Sequence, residues 1–395
     1  MSRIDDLIRD LCPDGVEYKP LGELVEIFSG HAFNSTHFNK IKTGLPLIRI
    51  RDINTGFSDT YYSGPYQNKY VANSGDLLIG MDGDFHIVHW SQGKALLNQR
   101  VCRLQNINSE LDKRFLFHIM TPILKHIQNE SIKSTVKHLS VKQLHSAQIP
   151  LPPLEVQKEI AKTLDQFTQL EAELEAELEA RQQQYAYYRD ILVAPRSPRE
   201  SVKLGKVSRI ARGASPRPIR KFITNDGGIP WIKIGDVPPQ GKHITTTAQH
   251  ISTDGAEKSR QIKPGDFILS NSMSFGRPYI SKINGCIHDG WLVISNYEKT
   301  FDPDFLYHVL RSSPIQNGFA QRAGSGTVRN LNSRIVSETL VPAPPIDQQR
   351  EIVHLLDKFD LLVNDLASGL PAEIEARRKQ YEYYRDRLLT FPEKN

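Results

Sequence analysis

Two long stretches of the chain place apolar residues at intervals of three and four. Ile160, Leu164, Phe167, Leu170, Leu174, Leu178, Arg181, Tyr185, Tyr188 and Leu192 form one seam. Ile352, Leu356, Phe359, Leu362, Leu366, Leu370, Ile374, Arg377, Tyr381, Tyr384 and Leu388 form another. Such spacing returns to one face of a 3.6-residue helix, so each stretch predicts a long helix, with Pro152 and Pro153 as a start signal before the first. Two seams of this kind invite a coiled-coil pairing. Gly369 and Pro371 interrupt the second seam. Proline removes a helix hydrogen bond, so a break is expected there, with Pro371 in the first turn of a new helix. Elsewhere the pattern has period two. Ile48 and Ile50 alternate with Arg49 and Arg51, and Ile232 and Ile234 with Lys233, as in half-buried strands with a polar outer face. Gly75-Asp76 and Gly265-Asp266 read as turns into further strands, Leu77-Leu78-Ile79 and Phe267-Ile268-Leu269.

The chain repeats itself. IPLPPLEVQKEIAKTLDQF (149 to 167) recurs as VPAPPIDQQREIVHLLDKF (341 to 359), with Pro152 matching Pro344, Gln157 matching Gln349 and Phe167 matching Phe359 at an offset of 192. EARQQQYAYYRDIL (179 to 192) recurs as EARRKQYEYYRDRL (375 to 388), now at an offset of 196. The four extra residues arise where one copy reads LEAELEAELEA (170 to 180) and the other LASGLPAEIEA. The preceding regions repeat more faintly but in the same order: LPLIRIRDI with IPWIKIGDV, SGDLLIG with PGDFILS, FLFHIM with FLYHVL, STVKHL with GTVRNL. A variable mixed region followed by a well-matched helical region is therefore written twice. APRSPRES (194 to 201), with Pro195 and Pro198, reads as the joint.

Composition narrows the classes. The 395 residues fit two or three domains, and 39% hydrophobic residues suffice for packed cores. No run of eighteen apolar residues exists, and the start, MSRIDDLIRD, is too charged for a secretory signal, so a soluble cytoplasmic protein is expected. Cys12, Cys102 and Cys286 lie far apart, supporting neither a disulfide framework nor a zinc site. A formal charge of +5 permits nucleic-acid binding without deciding it. A methyltransferase would need a cofactor loop and an Asn/Asp-Pro-Pro-aromatic motif, and neither is present. GSGT (324 to 327) lacks the rest of a dinucleotide fingerprint, and no Walker-type loop exists. No catalytic triad or carboxylate pair is legible from spacing.

The twofold LPxPPL entry, the GTxxxxL-like element (Thr135 to Leu139, Thr327 to Leu331) and the RxxQYxYYRDxL exit resemble the specificity subunit of type I DNA restriction-modification systems. The likeness spans essentially the whole chain. Ser134 departs from it where the second copy has Gly326. The resemblance implies an α+β protein with a pseudo-two-fold internal repeat: two mixed α/β target recognition domains separated by two long antiparallel coiled-coil helices. The first domain would span 1–148, the central helical spacer 149–193, a linker 194–203, the second domain 204–340 and the carboxy-terminal helical spacer 341–395. It further implies a non-catalytic chain that reads a bipartite DNA target and docks two methyltransferase subunits, possible restriction subunits joining them. No cofactor is expected in this chain, S-adenosylmethionine belonging to the partner methyltransferase. A structural coiled-coil adaptor with protein-binding globular halves, and a methyltransferase or nuclease fragment, are the alternatives left by the residues themselves.

Residues that could touch DNA fall in matching places of the two halves. They are Arg49, Arg51 and Lys233 beside the apolar alternation; Asp84 and His86 in GMDGDFH; and Asn271, Ser272, Ser274 and Arg277 in NSMSFGRPY. Arg100, Lys133, Thr135, Lys137 and His138 complete the first half, and Arg322, Thr327, Arg329 and Asn330 the second. Arginine and lysine pair with guanine, asparagine with adenine, and all can hold phosphate. Two further expectations concern the helices. Antiparallel helices would return the chain to the first domain, bringing residues 1 to 20 near 385 to 395. Glu171, Glu173, Glu175, Glu177 and Glu179 form a run of like charges that would repel phosphate, so this face is expected to meet protein. Leucines every four residues drift only about 40° per LEAE unit, so a unit could be added or lost while a seam persists.

Overall fold

The computed structural model describes residues 3–130, 138–224, 227–237, 241–271, 275–323, 330–364 and 369–394. The chain divides into two compact units, Met1–Ala172 with Ala376–Asn395, and Glu173–Glu375. The chain passes between them inside one continuous helix, Leu154–Leu192, which runs unbroken through LEAELEAELEA.

In the first unit an antiparallel sheet orders strands Glu26–Ser29, Val101–Gln105, Leu77–Gly80 and Ile87–His89. A second sheet joins Leu45–Ile48 in parallel to Ala95–Leu97, flanked by three two-residue strands. The helix Lys113–Glu130 buries Phe115, Leu116, Ile119, Met120 and Leu124 in a core shared with Ile160 and Leu164. The second unit repeats this plan. Arg209–Arg212, Trp291–Ser295, Phe267–Ser270, Pro278–Ser281 and His243–Ile244 form one sheet, and Ile229–Ile232 pairs in parallel with Gly285–Ile287 in another. Strand register is the same in both units. Arg103 stands between Phe28 and Leu78, and Val293 between Ala211 and Ile268.

The turns into the central strands are as the sequence predicts. Gly75 and Gly265 adopt φ of 96° and 93°, a region that favours glycine, and the next carboxylate closes each turn. Asp76 accepts from the Asn73 N–H and Asp266 from the Lys263 N–H, each at 2.9 Å. The period-two reading around Arg49 and Lys233 overreaches. The strands end at Ile48 and Ile232, and Arg49 and Lys233 precede a helix, Ile50–Thr55, and a single turn, Ile234–Asp236. Asp52 and Asp236 decide this. Their carboxylates accept the N–H groups of Arg49 (2.9 Å) and Lys233 (2.7 Å), which nucleates a turn that apolar alternation does not reveal.

The second helical region breaks as expected. It comprises Ile346–Asn364 and Leu370–Leu388, with Pro371 the second residue of the new helix. Within the first unit, Phe167 stacks on Tyr384 (5.4 Å) while Glu171 pairs with Arg378, so the two helices run antiparallel there. Within the second, Tyr185 donates to Asp360 (3.0 Å) and Tyr188 stacks on Phe359 (5.7 Å), again with the directions opposed. The chain ends meet in the first unit: the Val16 N–H donates to the Pro392 carbonyl at 2.9 Å. The joint is more structured than its prolines indicate. Ser201–Lys203 is a strand paired with Leu340–Pro342, just as Glu17–Pro20 pairs with Gln148–Leu151.

Two buried polar knots fasten each globular region to the helices. Gln157, fully buried, donates to the carbonyls of Glu110 (2.9 Å) and Pro152 (2.7 Å) and accepts the Asp112 N–H (2.8 Å). Gln349 does the same with Thr300, Pro344 and Asp302. His118 lies between Asp165 (2.8 Å) and Tyr381 (3.2 Å); His308 lies between Asp357 (3.3 Å) and Tyr185 (3.2 Å). Each histidine thus takes its carboxylate from the helical region that follows its own domain and its tyrosine from the other one.

Candidate nucleic-acid interface

The first unit brings several of the sequence candidates to one end of its sheets. The Met81 N–H donates to the Arg100 carbonyl (3.0 Å), and the Leu139 N–H to the Met81 carbonyl (2.8 Å). The Asn98 N–H donates to the Ile48 carbonyl (3.1 Å), so Arg49 enters the same end. At its centre is Asp82, which meets Arg100 Nε (3.1 Å) and His138 Nδ1 (2.6 Å). Arg100 and His138 remain about half exposed, at 52% and 48% of their side chains, with donor capacity facing outward. Asp82 carries no signal in the sequence, although it lies in the loop GMDGDFH; a carboxylate that orients an arginine and a histidine leaves no spacing pattern. Asp84 is tied to Gln128 (2.8 Å), whose amide oxygen accepts the Phe85 N–H, and Phe85 is buried beneath. His86 is exposed.

The corresponding end of the second unit is built on the same backbone bonds. The Asn271 N–H donates to the Gly290 carbonyl (3.0 Å), and the Leu331 N–H to the Asn271 carbonyl (2.9 Å). Its side chains differ. Asn271 is buried and donates to the Asp289 carbonyl (2.9 Å), which makes it a brace for the loop rather than an outward reader. Arg277 lies over the Tyr279 ring (5.4 Å), and its buried Nε has no hydrogen-bond partner among the described residues. Arg49 Nε in the first unit is in the same condition. Asn330 is exposed beside this end. Asp289 accepts from Ser215 (2.8 Å), which holds its carboxyl below the ordinary carboxylate range.

Other candidates are not brought to these ends. Arg51 is paired with Asp59 (3.1 Å) and bonded to Thr60 (3.0 Å). Arg322 bonds Thr339 (3.3 Å) next to the strand Leu340–Pro342. Lys233 is the exception: besides capping its turn through its backbone, it follows Ile232, which pairs with Ile287 as Ile48 pairs with Leu97, so it takes the place of Arg49 at the second end and its charge acts on His288 there. Lys133, Thr135, Lys137, Ser272, Ser274, Thr327 and Arg329 lie outside the described residues.

Among the described residues no cluster of His, Cys, Asp and Glu could hold a metal ion. Cys12, Cys102 and Cys286 are buried, and burial pushes the Cys102 thiol up to about 12. No described helix is long and apolar enough to cross a membrane. The glutamate run is not simply self-repelling: Glu171 pairs with Arg378, and Glu177 with Arg181 at 2.7 Å.

Two globular regions with matching frames and different loop chemistry, each fastened to antiparallel helices, make this an internally duplicated α+β protein. The family model for the type I restriction modification DNA specificity domain matches residues 13–180 and again 197–376, and the chain belongs to that family as a non-catalytic specificity subunit. It is 31% identical over 390 residues to a putative type I restriction enzyme specificity subunit of Haemophilus influenzae, covering 95% of this chain and 96% of that one. It is 30% identical over 372 residues to the EcoBI specificity subunit of Escherichia coli, covering 86% and 78%. A solved chain, described under complex assembly and conformational transition of the type I R-M system, superposes with a TM-score of 0.63 at 18% identity, covering 95% and 98%; at that identity the likeness concerns the fold.

Proposed function

We propose that this chain reads a bipartite, asymmetric DNA target, one half with each globular region, and presents it to two methyltransferase subunits docked on its helical regions. The observation that carries the reading is the pairing of one backbone frame with two side-chain sets. Arg100 and His138 around Asp82 in the first unit correspond to Gly290 and Asn330 near Asn271 in the second. A duplicated frame with diverged loops is what two different half-sites require, because base edges are read by side chains while phosphates only position. Arg49, Arg100, His138, Arg277 and Asn330 are the side chains we assign to DNA. S-adenosylmethionine and the transfer chemistry belong to the partner methyltransferase, and restriction subunits would join the same complex.

LEAELEAELEA sets the distance between the half-sites in this reading. Each four-residue unit adds about 6 Å of helix, against roughly 3.4 Å per base step. One unit therefore corresponds to one or two base pairs of unread spacer. The test is methylation mapping of a host carrying this chain and its methyltransferase. A split motif that disappears when the gene is removed supports the reading; methylation unchanged by its removal contradicts it. A salt-dependent gel shift of the complex on a split-site library provides the binding counterpart, since phosphate contacts weaken steeply with salt.

A further inference from the structure

In the first unit the guanidinium of Arg103 is largely covered by the sheet and the loops beside it. Arg103 has 12% of its side chain exposed. It donates from Nε to Gln105 Oε1 (2.9 Å), from one terminal nitrogen to the Val71 carbonyl (2.6 Å) and from the other to the Lys69 carbonyl (3.1 Å). It approaches the Asp76 carboxylate (3.4 Å) and lies over the Phe28 ring (5.3 Å).

The second unit reproduces this frame without the arginine. By strand register Val293 takes the place of Arg103, Ala211 that of Phe28 and Ser295 that of Gln105. Gln261 takes the place of Val71, each opposing the same position of the parallel-paired strand, Cys286 and Leu96. Asp266 keeps the role of Asp76, closing the same turn. Smaller side chains at three positions leave a cavity of about 310 Å³, lined by Gln261, Asp266, Val293 and Ser295 and flanked by Arg209 and Arg260. Asp266 is 4% exposed, and its Oδ1 is buried without a hydrogen-bond partner among the described residues. A buried, under-satisfied carboxylate is costly, and burial raises its pKa. Glu257, also on the lining, helps to offset the flanking arginines, and Arg260 Nε is engaged by the Arg212 carbonyl (3.2 Å). Asp266 and Asn271 bracket the strand Phe267–Ser270. The cavity is thus about 13 Å of strand from the candidate DNA interface and stands independently of it.

We propose that this cavity binds a guanidinium group supplied from outside the unit, the group that the first unit carries on its own Arg103. The carboxylate, the polar Ser295 and the carbonyl-bearing strand around Gln261 recreate the acceptor set. The vacated volume admits the alkyl stem beside Val293 and Ala211. The source is either a free small molecule or the arginine of a docked protein.

The probe is n-propylguanidinium, which copies the arginine side chain, followed by saturation-transfer NMR on the full chain. Binding should lie roughly in the millimolar range, as a ligand this small allows. The neutral isostere n-propylurea should not bind. Asp266→Asn should weaken binding at least about tenfold, in line with loss of a charge-assisted bond. Ser295→Gln, which restores the acceptor present in the first unit, should tighten it. Val293→Arg should abolish it by filling the cavity from within; if that variant misfolds by circular dichroism, the Asp266 and Ser295 variants decide. A capped tripeptide with central arginine that competes with the probe marks a protein source, and its exclusion marks a free one. Equal binding of the urea, undiminished binding by Asp266→Asn, or failure of the wild-type chain to bind the probe overturns the proposal.

Discussion

Replacing Gln157 by leucine tests whether the globular regions are fastened to the helices as two separate units. The side chain is fully buried and makes three hydrogen bonds, all to backbone groups. Leucine is close in size and satisfies none of them. A buried group left without a partner costs about 1–3 kcal/mol, whereas the two carbonyls keep some alternative geometry and leucine recovers about 1–2 kcal/mol of apolar transfer. The net loss should be roughly 2–4 kcal/mol. This corresponds to roughly 30- to 1,000-fold faster amide exchange for the opening of that unit. Exchange measured by mass spectrometry resolves where it occurs. Gln157→Leu should accelerate exchange in Lys113–Glu130 and in the ribbon of Glu17–Pro20 with Gln148–Leu151, and leave Pro303–Arg311 unchanged. Gln349→Leu should do the reverse. Acceleration below about threefold in the mutated unit, or equal acceleration in both, would show that Gln157 does not fasten its own unit separately.

Three further outcomes follow from the same geometry. His118 and His308 have pKa values lowered by burial, so the unfolded chain takes up protons more readily. Stability contributed by keeping them neutral is therefore complete above about pH 6.5 and declines as the pH falls below it, which denaturant titrations at pH 7.5 and 5.5 check. Arg100→Ala should relax base preference in one half-site and Arg277→Ala in the other, by about 1–3 kcal/mol if they read bases; methylation rates on oligonucleotides varied in one half at a time measure this, and an equal loss in both halves would count against the assignment. Reversal of Glu171, Glu175 and Glu179 to lysine should leave both half-sites unchanged in a gel-shift selection, because these residues lie on the central helix rather than in the loops.

Repetition made the architecture readable. Gln157 and Gln349, Tyr185 and Tyr381, and the long seams each occur twice in the same order, so helices and duplication emerge from matching alone, whereas the strand Ser201–Lys203 inside the proline-rich joint does not. The break at Pro371 followed from one residue's missing N–H. Local chemistry was less legible. Apolar alternation could not distinguish a strand from a strand ending in a turn, because Asp52 and Asp236 make the turn by accepting the N–H three residues back. Of the site candidates, Arg100 and His138 were identifiable as polar loop residues, but the carboxylate that joins them, Asp82, is visible only in three dimensions. Asn271 resembles an adenine reader by residue type, yet its amide is spent on the Asp289 carbonyl. The exchange of tyrosines between His118 and His308 depends on the chain path, which spacing does not encode.

Deleting Leu174–Glu177 and mapping methylation across the host genome tests whether the helix sets the gap between the two half-sites. The four residues lie within the uninterrupted helix Leu154–Leu192, so their removal keeps the helix and shortens it by about 6 Å. The methylated motif should keep both half-sites and carry an unread gap shorter by one or two base pairs. An unaltered gap, or a change in either half-site, would contradict that role of the helix.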